Sequence, residues 1–215
     1  MKSLQADVYN KLKQLIIFGG LSPGDKLSEV EMSKKLDASR TPIREAFRQL
    51  QSEGYIDFIP NKGAFVAKLP IKKIEEIYDV ISLLEGYAGE LATNKITRIQ
   101  IKELQKINRK LSVYASQNKY QDFVITNTEF HNLIMRLSGN STLIKINASL
   151  RMQVYRYRMI CVVIPGHLEK YILSHERILD AIGKKDAESA GKLIKTHVGY
   201  VKETLVNFLK HDPRM

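Results

Sequence analysis

Arg40, Arg44 and Arg48 recur every fourth residue within LDASRTPIREAFRQLQSEG, the stretch from Leu36 to Gly54. On a helix that spacing stacks them along one face, while Ile43, Phe47 and Leu50 form an apolar stripe on the other. Guanidinium is a permanently charged planar fork that fits phosphates and the exposed edge of guanine, so the chemistry on offer is nucleic-acid recognition. A solvated basic face on an ordinary amphipathic helix would show the same pattern, so the flanking elements must decide. Histidines supply a second candidate. His131 shares a helical face with Asn127, Phe130 and Ile134, His175 with Ile172, Ile178, Leu179 and Ile182, and His197 with Ile194, Val198 and Val201. One inward histidine is ordinarily a core residue satisfied by a neighbour. Three on three helices of one bundle would be drawn toward a common interior when the apolar faces pack, as a bundle metal site requires.

Positioning the arginines requires a short helix over 28–36, opened by Ser28 with Glu31 as a capping box, and a tight turn at Asp37-Ala38-Ser39. That is a helix-turn-helix. Val8, Leu12, Leu15 and Ile16 give a preceding helix that Gly19-Gly20 and Ser22-Pro23-Gly24 end. After Gly54, Tyr55 to Ile59 and Ala64 to Leu69 read as two strands joined through Pro60-Asn61-Lys62-Gly63, a hairpin with Lys62 and Gly63 at its tip. Glycine there lets the backbone approach a narrow groove. The order of these elements is that of a winged helix-turn-helix, and Leu69-Pro70 marks its end.

The histidines require helices. Ile74, Ile77, Tyr78, Ile81, Leu84, Ala88 and Leu91 follow one face of a first helix. Thr97 and Gln100 open a second, containing Leu104, Ile107 and Leu111, and Phe123, Phe130 and Ile134 mark a third that Gly139-Asn140 stops. A fourth runs from about Thr142 to Ile164, before Pro165-Gly166, and two more follow at about 168–182 and 187–208. The expected fold is therefore mainly α. Residues 1–69 form a DNA-binding winged helix-turn-helix (three helices and a hairpin wing), and residues 70–215 an all-α antiparallel bundle of about six helices.

Composition sets outer limits. A net charge of +11 suits a polyanionic partner. Residues 1–70, however, hold 11 Lys+Arg against 8 Asp+Glu and the remainder 23 against 15, so charge alone does not locate the DNA site. A single cysteine, Cys161, excludes an internal disulfide and any Cys-based zinc motif, and fits a reducing compartment. No apolar run suits a membrane span, and Met1 to Asp7 lacks the apolar core of a signal peptide, so a cytoplasmic protein is expected.

The segment LSPGDKLSEVEMSKKLDASRTPIREAFRQLQSEGYIDFIPNKGAFV resembles the winged-helix domain of the GntR family of bacterial transcription regulators, SRTPIREA being its most specific part. The resemblance implies that Arg40, Thr41, Arg44 and Arg48 contact operator DNA and that Gly63 is at the wing tip. Val30 stands where some relatives carry an arginine. NTEFHNLIMRLSGN at 127–140, HERILDAIGKKDAESA at 175–190 and His197 resemble the FCD effector domain of the FadR subfamily. By that match His131, His175 and His197 would hold a divalent metal, with Asn127 in place of the usual aspartate. An amide brings no charge, which favours zinc or nickel while leaving manganese possible. Ile81 stands where relatives commonly have a pocket arginine.

The resemblance also implies a small organic-acid effector, for which Arg151, Tyr155 and Arg158 are the candidates; Arg156 cannot share a helical face with Arg158. The function implied is that of a homodimeric, effector-controlled regulator of double-stranded operator DNA, repressing rather than activating. Two alternatives remain: a metal-dependent hydrolase built in the bundle, although Glu129 and Glu176 project off the histidine faces, and a metal-free dimeric regulator.

Overall fold

A computed structural model of the chain describes residues 4–211; the first three residues, part of the start read above for a signal peptide, lie outside the described residues, as do 212–215. Contacts divide the chain into two units that meet between Pro70 and Ile71.

In the first unit Val8, Leu12 and Ile16 line the buried face of α1 (Leu4–Ile17), which packs on α3 (Arg40–Ser52). Between them α2 (Glu29–Leu36) starts at Ser28, whose side chain accepts a hydrogen bond from Glu31 N. It ends at Asp37, held at φ 50°, a left-handed turn position that aspartate tolerates better than most residues. α3 buries Ile43, Ala46, Phe47 and Leu50 and leaves Arg40, Thr41, Arg44 and Arg48 exposed. Its far end is tied to α1 by Glu53, which accepts from Tyr9 Oη at 2.6 Å and Lys13 Nζ at 2.6 Å. Burial raises the Glu53 pKa, but those two bonds outweigh it and leave the carboxyl below its ordinary value.

The wing is a three-stranded antiparallel sheet, ordered β1 (Lys26–Leu27), β3 (Gly63–Val66), β2 (Ile56–Ile59). β1 was not foreseen, because two residues carry no alternation to read. The hairpin turns through Ile59-Pro60-Asn61-Lys62, where Lys62 N donates to Ile59 O at 3.0 Å and Asn61 stands at φ 61°. Proline second and a positive φ third is the type II pattern. Gly63, at φ 98°, opens β3 opposite Ile59, so it lies just past the apex expected for it.

The second unit is a six-helix bundle whose fourth member is broken. Its helices are α4 (Ile71–Lys95), α5 (Arg98–Ser116), α6 (Tyr120–Leu137), α7 (Ser141–Val154), α8 (Arg158–Val163), α9 (His167–Gly183) and α10 (Ala187–His211). Thr97 and Gln100 close a reciprocal capping box at the start of α5. The continuous helix expected from Thr142 to Ile164 is interrupted by a 3-10 turn at Tyr155–Tyr157, between α7 and α8. The tighter turn buries Arg156, Tyr157 and Arg158 in succession, which one face of a straight α-helix cannot do. On α4 the buried face is Ile74, Ile77, Tyr78, Ile81, Glu85, Ala88 and Ala92, with Leu84 and Leu91 half-buried at its edge. α4 packs closely on α10: a Cβ added at Gly86 would stand 3.0 Å from Gly191 O.

Candidate functional site

His131 on α6, His175 on α9 and His197 on α10 meet in the bundle interior. Their ligating nitrogens all lie within 4.8 Å of one another. The rings are 5% or less exposed, and Phe130 stacks on His175 with centroids 4.1 Å apart. Burial pushes each imidazole pKa down, His175 and His197 well below the ordinary value, so the rings are neutral at neutral pH. For His131 the nearby Glu85 carboxylate opposes that shift.

Two rings have a side-chain oxygen beside Nδ1. His131 Nδ1 lies 3.0 Å from Glu85 Oε2, and His175 Nδ1 lies 3.3 Å from Asn108 Oδ1. An acceptor at Nδ1 places the proton there and leaves the Nε2 lone pair for a ligand. His175 Nε2, His197 Nδ1 and Asn127 Oδ1 are buried without a hydrogen-bond partner among the described residues. A buried polar atom left unpaired costs about 1–3 kcal/mol, and lone pairs gathered without donors are what a cation satisfies. The residues present therefore fit a divalent metal.

Glu85 is the charged residue beside the histidines that the sequence reading missed. It is 2% exposed on α4 and accepts from Arg151 Nε at 2.6 Å and Asn147 Nδ2 at 3.0 Å, besides facing His131. Burial alone would raise its pKa, but Arg151 and His131 hold it well below the usual carboxylate range. The available signal was its spacing, four residues after Ile81 and three before Ala88 on the apolar face.

Arg151, Arg158, Asn127, His131 and His197 line one cavity, which leaves about 20 Å³ to the centre of a water-sized sphere. That is room for one small group, so an organic acid requires side chains to move. Arg158 Nη1 donates to Thr128 Oγ1 at 2.5 Å. Glu85 is paired with Arg151 and Arg158 lines the same cavity, so one carboxylate is set against two guanidiniums and the surroundings carry excess positive charge suited to an anion. Tyr155 is not on the cavity wall; it is half-buried with its ring 5.6 Å from the Arg158 guanidinium, because the 3-10 turn aims it elsewhere. Arg156 is also buried off the wall, beside the Tyr157 ring.

The other candidates lie on the winged helix. Arg40, Thr41, Arg44 and Arg48 present one exposed face of α3, and Lys62 and Gly63 are exposed on the wing. Val30, noted above as standing where some relatives carry an arginine, is exposed on α2. Arg44 is paired with Glu29 of α2, Nε to Oε1 at 2.9 Å and Nη2 to Oε2 at 2.8 Å. That hydrogen bonding lowers the Glu29 pKa, and the charges of Arg44, Arg40 and Arg48 add to the effect.

Two family descriptions match the chain. Residues 4–66 match the family described as bacterial regulatory proteins, gntR family, and residues 76–200 match the FCD domain. An uncharacterized HTH-type transcriptional regulator, YdhC of Bacillus subtilis, is 26% identical over 94% of this chain and 91% of its own length. A probable D-xylose utilization operon transcriptional repressor of Paenarthrobacter nicotinovorans is 30% identical over 84% of this chain and 79% of its own. The solved structure of E. coli McbR/YncC shares the fold with a TM-score of 0.78 at 24% identity, covering 99% of this chain and 100% of the other. Among the described residues no helix is long and apolar enough to cross a membrane. These relatives are described as transcription regulators, not as hydrolases. The chain belongs to the gntR family of bacterial regulatory proteins: it is a DNA-binding regulator with an FCD effector-binding domain.

Proposed function

We propose that this regulator represses transcription as a homodimer and that a small organic acid, bound beside a divalent metal in the bundle, controls its affinity for operator DNA. The metal is assigned to His131, His175 and His197, with Asn127 supplying an oxygen or orienting a water. The observation that carries this reading is the gathering of buried, unpartnered lone pairs on His175, His197 and Asn127 beside a third neutral imidazole. When bound, such a cation supplies charge that can help hold a carboxylate. Arg151 and Arg158 would take the rest of the anion, with Arg151 exchanging its Glu85 partner for the effector. Tyr155 enters only through its contact with Arg158. Repression is favoured by the repressor role described for the Paenarthrobacter relative. On DNA, Arg40, Thr41, Arg44 and Arg48 are assigned to the major groove and Lys62 with Gly63 to the backbone or minor groove.

Untagged protein analysed for metal after equilibration with zinc, nickel or manganese tests the site. One ion per chain, with zinc or nickel preferred, is expected; Asn127→Asp should shift preference toward manganese by restoring a charged oxygen ligand. No tightly held ion, or full binding in a His175→Ala/His197→Ala variant, would refute it and leave a metal-free dimeric regulator. Sedimentation should give a species near twice the 24.6 kDa chain mass.

A further inference from the structure

Arg44 is exposed on the recognition helix, yet it is not free. Its Nε and Nη2 donate to the two oxygens of Glu29, at 2.9 and 2.8 Å, across the turn between α2 and α3. We propose that Glu29 is a positioning residue for DNA reading: it holds the Arg44 guanidinium by one edge so that the opposite edge is presented, already oriented, to a guanine in the major groove. A guanidinium has five N–H donors in a rigid fork. The carboxylate occupies the Nε side, which leaves the edge formed by the two terminal nitrogens, and two parallel donors there match the O6 and N7 acceptors of guanine.

The same carboxylate acts on the phosphates. Glu29 offsets one positive charge on a face that carries Arg40, Arg44 and Arg48, so it weakens attraction to any duplex regardless of sequence. Aiming the fork raises the ratio of specific to non-specific binding, whereas subtracting one charge weakens both alike and leaves that ratio unchanged. Glu29 also occupies the first turn of α2, where an acidic side chain favours the helix dipole, so a merely structural role is the competing account.

The inference rests on α3 being the helix that enters DNA, and the test separates the two claims. Wild-type full-length protein is used to select duplexes from a random pool. It is then titrated by fluorescence anisotropy, at several salt concentrations, against the selected duplex and a scrambled duplex of the same composition. Glu29→Gln should lower the ratio of the two affinities roughly tenfold, within the range set by one bidentate base contact. It should also steepen the salt dependence on the scrambled duplex, the slope of log affinity against log salt, by about 1. In an Arg44→Ala background the same change should leave the ratio where it is. A lower melting temperature with an unchanged ratio means that Glu29 only supports α2, and overturns the inference. A ratio that still falls without Arg44 overturns it as well. If the wild type enriches no sequence, the reading of α3 fails and this inference with it; an enriched sequence on which wild type and Glu29→Gln give equal ratios sinks this inference alone.

Discussion

Glu85 carries three tasks on two oxygens: it neutralises part of Arg151, accepts from Asn147 and faces the Nδ1 of His131. Glu85→Gln keeps the shape but removes the charge, so Arg151 is left without an anion and His131 without its strong acceptor. Loss of a buried ion-pair partner costs about 3–5 kcal/mol, and loss of an outer acceptor on a ligating histidine lowers metal affinity about 10–100-fold. The two effects separate in a Glu85→Gln/Arg151→Met variant, which should regain stability in a urea titration while zinc affinity stays low. Recovery of both together would mean that Glu85 serves only Arg151. The histidines were legible in the sequence because each repeats the apolar spacing of its own helix. Glu85 was not, because a carboxylate interrupts an apolar face and its arginine stands 66 positions away, on a helix whose inward side the sequence does not mark.

Among the elements, the pair α4 and α10 sets the bundle. Gly86 and Gly89 on α4 and Gly191 on α10 let the helices approach until side chains of one overlie the backbone of the other. At Gly86 a Cβ would meet the flexible Lys195 side chain and, at 3.0 Å, Gly191 O, which cannot withdraw without moving α10. Gly86→Leu should therefore destabilise the protein by about 1–3 kcal/mol, in the range of an overpacked contact, despite leucine's better helix propensity. A melting temperature equal to wild type would show that the crossing has slack. Helix existence and order were readable from period and punctuation, as at Thr97/Gln100 and Gly139-Asn140. The 3-10 break was not: nothing in Tyr155-Arg156-Tyr157 interrupts a helix locally, and the turn shows only in the folded bundle, where it accompanies the burial of Arg156 and Arg158. β1 was hidden for a similar reason, since a two-residue strand is defined only by its partner β3.

For the whole molecule, the neutral histidines tie stability to pH. Below the ordinary imidazole value near 6.5 the unfolded chain takes up protons that folded His175 and His197 refuse, because their pKa values lie well below it. Stability of the metal-free protein is thus fully present above about pH 6.5 and is lost as pH falls toward the folded values. Each depressed histidine contributes up to about 1.4 kcal/mol per pH unit in that window. Glu85, also depressed, adds a further loss only below the ordinary carboxylate range. Urea midpoints in chelator should be level from pH 7 to 8 and drop between pH 6.5 and 5; a level profile throughout would contradict the assignment of buried neutral rings.

α4 also has a mechanical consequence. It is one unbroken helix from Ile71, the residue that follows the winged-helix unit, to Lys95, and it bears Glu85 about 21 Å along its length. A rod of that kind does not absorb a displacement; were Arg151 to exchange Glu85 for an effector, as proposed, a slide or twist imposed at Glu85 would arrive at Ile71 with its phase intact. One alanine inserted between Lys73 and Ile74, where the two preceding residues are exposed, would leave the buried face from Ile74 onward in register. It would turn the head of the rod by about 100° and advance it about 1.5 Å. Metal uptake and melting temperature should survive that change, while the response of DNA affinity to metal and organic acids is lost. An insertion mutant that still responds like wild type would show that the signal leaves the bundle by another route.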